Sequence, residues 1–171
     1  NESVSNGYHG EATQPSSQSF MGNPFGIWLN TLNDMFFSDY LDGVVRMVDH
    51  SSGIITTYAG KFGTGGFNAS DNGRSKNSIT LFGPWSVWGD SANNIYTSEA
   101  LAVRKINYVT GVANFVSVCD NRGISAVAVD VDLCGYQRAY SIWGSSIGKI
   151  YYNMGCAVKM YNPSGKYIFY L

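Results

Sequence analysis

Residues 86–107 read SVWGDSANNIYTSEALAVRKIN. Three short segments, 86–89, 94–97 and 102–106, are separated by a Gly-Asp-Ser-Ala-Asn turn and a Ser-Glu-Ala-Leu turn. Brief runs of β-branched and aromatic residues bounded by turn formers predict antiparallel strands. The same grammar occurs once before this stretch and once after it. Recurrence of one supersecondary unit marks a repeat protein, and the rest of the chain is read on that basis.

In the upstream copy, strands are expected at 25–29, 35–38, 44–48 and 54–59, with turns at 30–34, 39–43 and 51–53. Ile27-Trp28 aligns with Val87-Trp88, and Met35-Phe36 with Ile95-Tyr96, both at an offset of 60 residues. Arg46-Met47-Val48 aligns with Arg104-Lys105-Ile106 at 58, so two residues are lost in a turn. Downstream, Ser141-Ile142-Trp143-Gly144 falls on Ser86-Val87-Trp88-Gly89 at an offset of 55. Ile150-Tyr151 and Ala157-Val158-Lys159 follow in the same register. Insertions fall in turns while the strand grammar survives, as an array of repeats requires.

This pattern predicts an all-β chain of antiparallel four-stranded blades forming a partial β-propeller, open or completed between molecules. The expected division is 1–24 as an inter-blade-like segment, 25–60 as blade 1, and 61–84 as a Gly/Asn-rich connection. Blade 2 follows at 85–118, a second connection at 119–140, and blade 3 at 141–171. The alternating run at 124–131 in that second connection reads either as an extra strand or as the first strand of the third unit.

Pro24-Phe25-Gly26-Ile27-Trp28-Leu29-Asn30, Met35-Phe36-Phe37-Ser38-Asp39, Val45-Arg46-Met47-Val48 and Gly53-Ile54-Ile55-Thr56-Thr57-Tyr58-Ala59-Gly60 together resemble one NHL-type repeat. The second copy keeps Pro84, Trp88, Asp90, Arg104 and Gly111, with Glu99 in the place of Asp39; the third has Asn153 where the acid is expected. The resemblance covers residues 7–116 well and the last third loosely. It implies propeller blades and binding or scaffold roles, some relatives being Ca²⁺-dependent lactonases or metal-dependent lyases. Trp28, Trp88 and Trp143 are expected to pack between blades, because large aromatics dominate core energetics. Asp39 with Arg46, and Glu99 with Arg104, are expected to form structural ion ties.

Composition bounds the function. The chain has 171 residues and a formal net charge of −1, and 13% of its residues are charged, about half the usual share. Electrostatics therefore give no reason to expect nucleic acid, and no apolar run is long enough to span a membrane. The start, without Met or a signal-like apolar stretch, reads as that of a processed or truncated product. His9 and His50 lie in predicted loops without metal-ligand spacing, and Asp130 and Asp132 read as a solvated turn. No catalytic constellation emerges, so no enzyme, cofactor or metal is expected.

Cys119 and Cys134 bracket the second connection, and a disulfide there would stabilise by about 3 kcal/mol in the chain-entropy picture. Cys156 is then free or intermolecular; three buried thiols are the alternative. Asn68 and Asn1 begin Asn-x-Ser sequons in predicted loops. With the cysteine pair they point to an extracellular or secreted protein carrying N-glycans. Closed propellers use about 4–8 blades, so three need completion. Tyr167, Ile168, Phe169, Tyr170 and Leu171 form an apolar strand that offers an edge for pairing. The expected partners are copies of the same chain, as an oligomer or filament of a structural scaffold. The alternatives are a protein- or glycan-binding module that is a fragment of a larger secreted or receptor protein and, third, a Ca²⁺-dependent lactonase- or lyase-like propeller.

Overall fold

The computed structural model describes residues 21–118, 128–129, 139–145, 148–154, 157–162 and 167–170. Three antiparallel sheets follow one another along the chain. The first contains β1 (Pro24–Leu29), β2 (Met35–Asp39), β3 (Val44–Val48) and β4 (Ile55–Ala59) in sequential order. After the short β5 (Arg74–Ser75), the second contains β6 (Ser86–Gly89), β7 (Ile95–Ser98), β8 (Ala102–Ile106) and β9 (Val112–Val118). Beyond β10 (Ala128–Val129), the third contains β11 (Ile142–Gly144), β12 (Ile150–Met154), β13 (Ala157–Tyr161) and β14 (Tyr167–Tyr170).

β1 lies alongside β6, and β6 alongside β11. The first strand of each sheet therefore sits innermost, and the meander runs outward from it. That is the arrangement of propeller blades, so the expected all-β partial propeller is the architecture found. Register supports the alignment read from sequence. Trp28 pairs with Phe36, Trp88 with Tyr96 and Trp143 with Tyr151. Pairing also corrects one expectation. Asn153 stands opposite Val158 as Ser98 stands opposite Val103 and Ser38 opposite Val45. Asn153 thus occupies the serine position of the repeat, one residue before the acid's.

The cores lie between the blades. One cluster joins Phe36, Val45, Tyr58 and Ala59 of blade 1 to Val87, Ile95, Ile106 and Ala113 of blade 2. A second joins Tyr96, Val103 and Val116 to Ile142, Ile150 and Tyr152 of blade 3. Strand residues alternate faces, so each blade offers one side to the blade before it and the other to the blade after it.

The 61–84 connection is ordered chain stitched across the first seam. Ile79 and Leu81 enter the first core. The buried Asp71 accepts from the Thr80 amide (2.8 Å) and hydroxyl (2.9 Å), and β5 pairs with the outer strand β9. Ala128–Val129, within the alternating run at 124–131, adds to β9 in parallel. The outer edge of blade 2 is therefore covered on its exposed side by two short strands.

Candidate functional site

Each innermost strand carries a tryptophan, and in blades 2 and 3 the residue after it is where the preceding blade's tryptophan lands. Trp28 of blade 1 lies over Gly89 of blade 2, and Trp88 of blade 2 lies over Gly144 of blade 3. In both places a Cβ on the glycine would lie only 2.1–2.6 Å from three carbons of the indole, far closer than atoms can pack. The smallest residue is therefore what allows the large one to seat. A parallel ladder of rings runs along the strand starts. Phe25 and Trp85 have centroids 4.5 Å apart, and Trp85 and Tyr140 5.1 Å apart.

Polar links reinforce the seams. The buried Ser38 hydroxyl accepts from the Gly26 amide (2.9 Å) and donates to the Trp85 carbonyl (3.0 Å), crossing from blade 1 to blade 2. Ser98 Oγ accepts from Ser86 in the same way (3.1 Å), and Asn153 Oδ1 accepts from Ser141. At the turn ends, Thr31 donates through its amide and hydroxyl to Asn93 Oδ1 at 3.2 Å. Asn33 and Asn93 hold φ of 66° and 62°, and Gly148 takes 79° at the matching place in blade 3. Left-handed turn positions favour asparagine and glycine.

The two expected ion ties resolve differently. Arg104 Nε donates to Glu99 Oε1 at 2.8 Å, with both side chains fully buried. Glu99 Oε2 also accepts from the Phe82 amide, and the guanidinium stacks 4.3 Å from the Phe115 ring centroid. In blade 1 the Asp39 carboxylate instead accepts from the amides of Gly22 and Asn23, both at 2.9 Å. Arg46 reaches the Thr57 hydroxyl at 2.6 Å. The shorter aspartate is held by the incoming chain, whereas glutamate is long enough to meet its arginine.

The ends of the array differ from its interior. Ile27 is 63% exposed, while its counterparts Val87 and Ile142 are 4% and 6% exposed beneath a preceding blade. Trp143 is 58% exposed, and Val158 47%, where Val103 and Val45 are fully buried. Leu29, also exposed, occupies the position of Gly89 and Gly144. These two apolar faces are the surfaces on which the described residues leave repeat positions uncovered. The sequence aligns Gly144 with Gly89 as it aligns the tryptophans before them, but gives those glycines no role, because the size of the residue matters only once its neighbour is known.

A cleft of about 180 Å³ opens between blades 2 and 3, lined by Trp88, Asp90, Ser91, Gly144, Ser145 and Gly148. Its carboxylate is committed to the turn: Asp90 accepts from the Ala92 amide, from the Asn94 amide, from the Asn94 side chain through both carboxylate oxygens, and from the Tyr96 hydroxyl at 3.1 Å. Burial first, and then the charge of Asp90, raises the Tyr96 phenol above its ordinary pKa. Among the described residues no group of three His, Cys, Asp or Glu is placed to hold a metal ion. His50 lies at the surface, its amide donating to Asp34.

Asn68 is exposed and caps the 3-10 turn Ala69–Asp71. Its side chain accepts from the Ser70 amide and donates to Asp71 at 3.2 Å. Tyr167, Ile168, Phe169 and Tyr170 form β14, paired with β13 as the outer strand of blade 3. Asn1, His9, Cys119, Asp130, Asp132, Cys134, Cys156 and Leu171 lie outside the described residues. No helix among the described residues is long and apolar enough to cross a membrane.

No family model and no curated protein sequence matches the chain. Solved propeller-like structures do. A streptogramin B lyase superposes with a TM-score of 0.59 at 15% identity, covering 94% of this chain and 42% of the lyase. The virginiamycin B lyase of Staphylococcus aureus gives 0.56 at 14%, covering 86% and 40%. The extracellular domain of the one component system BT4673 from B. thetaiotaomicron gives 0.60 at 12%, covering 93% and 18%. The chain thus spans less than half the length of each of these three proteins. At these identities the likeness is one of fold, and a specific NHL family is not established. The expectation that the chain is no enzyme is corrected: lyases are among the structures sharing this fold, so the architecture gives no ground for excluding catalysis.

Proposed function

We propose that this chain is a structural unit of an extracellular β-propeller assembly, and that it works by joining further blades at the two open ends of its array. The observation that carries this reading is the contrast along one repeat position. Ile27 is 63% exposed where Val87 and Ile142 are all but buried. Water is excluded from that position wherever a neighbouring blade exists, and an apolar face of this kind marks an interaction surface.

Size supports the same reading. Three blades matched over 42% of a lyase chain scale to a ring of about seven, within the usual range of about 4–8. The fold likeness to an extracellular domain and the surface position of the Asn68 sequon support an extracellular setting.

Light scattering across a concentration series, with negative-stain images, tests the proposal. Species heavier than the 18.6 kDa chain are expected at the higher concentrations, formed by weak end-to-end contact between copies or by recruitment of a partner blade, and reduced by Ile27→Ser or Trp143→Ser. A monomer that unfolds cooperatively at every concentration, with no partner recruited to either face, overturns it. Expression through a secretory route tests the compartment, with a glycan lost in Asn68→Gln as the expected result.

A further inference from the structure

The two seams within the chain define what its third tryptophan requires. Trp28 and Trp88 each seat on a glycine of the following blade, in a space that a Cβ would already fill. Trp143 holds the same register, opposite Tyr151 as Trp88 is opposite Tyr96, and is 58% exposed. Beside it, Val158 is exposed where the matching Val103 is sealed in the second core. We propose that this face docks a further blade, from outside residues 1–171, whose innermost strand carries glycine at the position of Gly89 and Gly144. The inference rests on the proposed joining of blades and specifies the partner.

A second copy of this chain is not that blade. A head-to-tail joint would place Trp143 against blade 1 of the next molecule. There the position aligned with Gly89 and Gly144 is Leu29, paired with Met35 as Gly89 is paired with Ile95. Leucine adds the forbidden Cβ and three further carbons. Trp143 can seat in the repeated geometry only if the next strand retreats, which would forfeit the close packing that makes an apolar seam stable. Copies therefore meet through their apolar ends less tightly than two consecutive blades do. Leu29 acts against homotypic ring closure while leaving Trp143 available to a glycine-bearing partner, a steric exclusion of the kind that confers specificity.

The experiment uses chains of residues 1–171 that differ at two exposed positions. An acceptor, Leu29→Gly/Trp143→Ala, offers the glycine but has no tryptophan knob. Mixed with wild type, it is expected to give a 1:1 complex by native mass spectrometry and sedimentation. The complex cannot propagate, because each chain retains one unsuitable face. Wild type mixed with Trp143→Ala alone, or with Leu29→Ala/Trp143→Ala, is expected to bind at least tenfold more weakly. The single variant Leu29→Gly provides an independent reading, with self-association at least tenfold tighter than wild type. Equal affinity with and without the glycine, or no complex in either format, overturns the inference. The two readings fail separately. A wild type that is monomeric alone but captures the acceptor refutes association between copies and upholds the glycine requirement. Wild-type assembly indifferent to Leu29→Gly refutes the glycine requirement alone.

Discussion

Trp88 of the second blade lies over Gly144 of the third, and Trp28 repeats the contact on Gly89 one blade earlier. Because the obstructed atom would be a Cβ, the smallest possible enlargement tests the seam. Gly144→Ala and Gly89→Ala are each expected to destabilise the fold by about 1–3 kcal/mol, the usual cost of overpacking a filled site. Gly65→Ala is the control, since a Cβ there meets nothing within 4 Å. Urea midpoints for the three variants decide the matter, and equal midpoints would show that the seam relaxes without cost.

The Glu99–Arg104 pair makes a sharper demand, because both side chains are fully buried. Removing one partner strands the other charge, and Arg104→Met or Glu99→Leu alone is expected to cost about 3–5 kcal/mol. The double variant Glu99→Leu/Arg104→Met is expected to recover most of that loss, since an apolar pair of similar volume needs no desolvated charge. Chemical denaturation of the three variants forms a double-mutant cycle, and strictly additive losses would deny the pair its coupling.

That pair also shows how much could be read before the structure was known. Glu99 and Arg104 were legible because they recur at fixed places in a repeat whose strands and turns follow directly from alternation and turn chemistry. The blade 1 counterpart was not, because the bonds of Asp39 go to Gly22 and Asn23, in a segment with no periodicity to read. Asn153 reads as the acid's counterpart from sequence because alignment across a turn tolerates a one-residue slip that strand pairing does not. The candidate site was half visible: aligned tryptophans announce themselves, whereas Leu29, Gly89 and Gly144 acquire meaning only from what the neighbouring blade places against them. The compact 61–84 connection was hidden for the same reason, since Ile79 and Leu81 are recruited by a seam that forms between distant strands.

Tyr58 predicts an alkaline limit. Burial, followed by the nearby Tyr108, raises its phenol from 10.0 to about 12 in the fold. The unfolded chain loses that proton first, so stability is unaffected below pH 10 and falls as the pH rises from 10 through 12. Tyr96, also raised, adds to the same trend. The Tyr58 hydroxyl is buried without a hydrogen-bond partner among the described residues, while Lys76 Nζ sits 3.6 Å from its ring centroid. Tyr58→Phe keeps the ring and removes the hydroxyl. It is expected to be neutral or stabilising by up to about 1 kcal/mol at pH 7, and to lose less stability than wild type between pH 10 and 12. Denaturation midpoints at pH 7, 10 and 11.5 check both halves, and an unchanged alkaline slope would clear Tyr58 of the effect.

Ser38 gives the last prediction, because one hydroxyl serves two blades. It accepts from Gly26 within blade 1 and donates to the Trp85 carbonyl of blade 2. Ser38→Ala therefore leaves a donor and an acceptor without that partner at a seam that admits little water. A net hydrogen bond contributes about 0.5–1.5 kcal/mol, and a stranded buried group costs about 1–3 kcal/mol. The expected loss is about 2 kcal/mol, accompanied by faster exchange of the Gly26 amide proton. Ser98 accepts from Ser86 at the same repeat position, so Ser98→Ala provides the comparison within one chain. If the serine link helps to hold the blades in register, Ser38→Ala should also loosen the seat of Trp28 on Gly89, seen as a shift in indole fluorescence at low denaturant. A loss of stability with the Trp28 environment unchanged would confine Ser38 to a local bond, and leave the seam to the tryptophan and glycine alone.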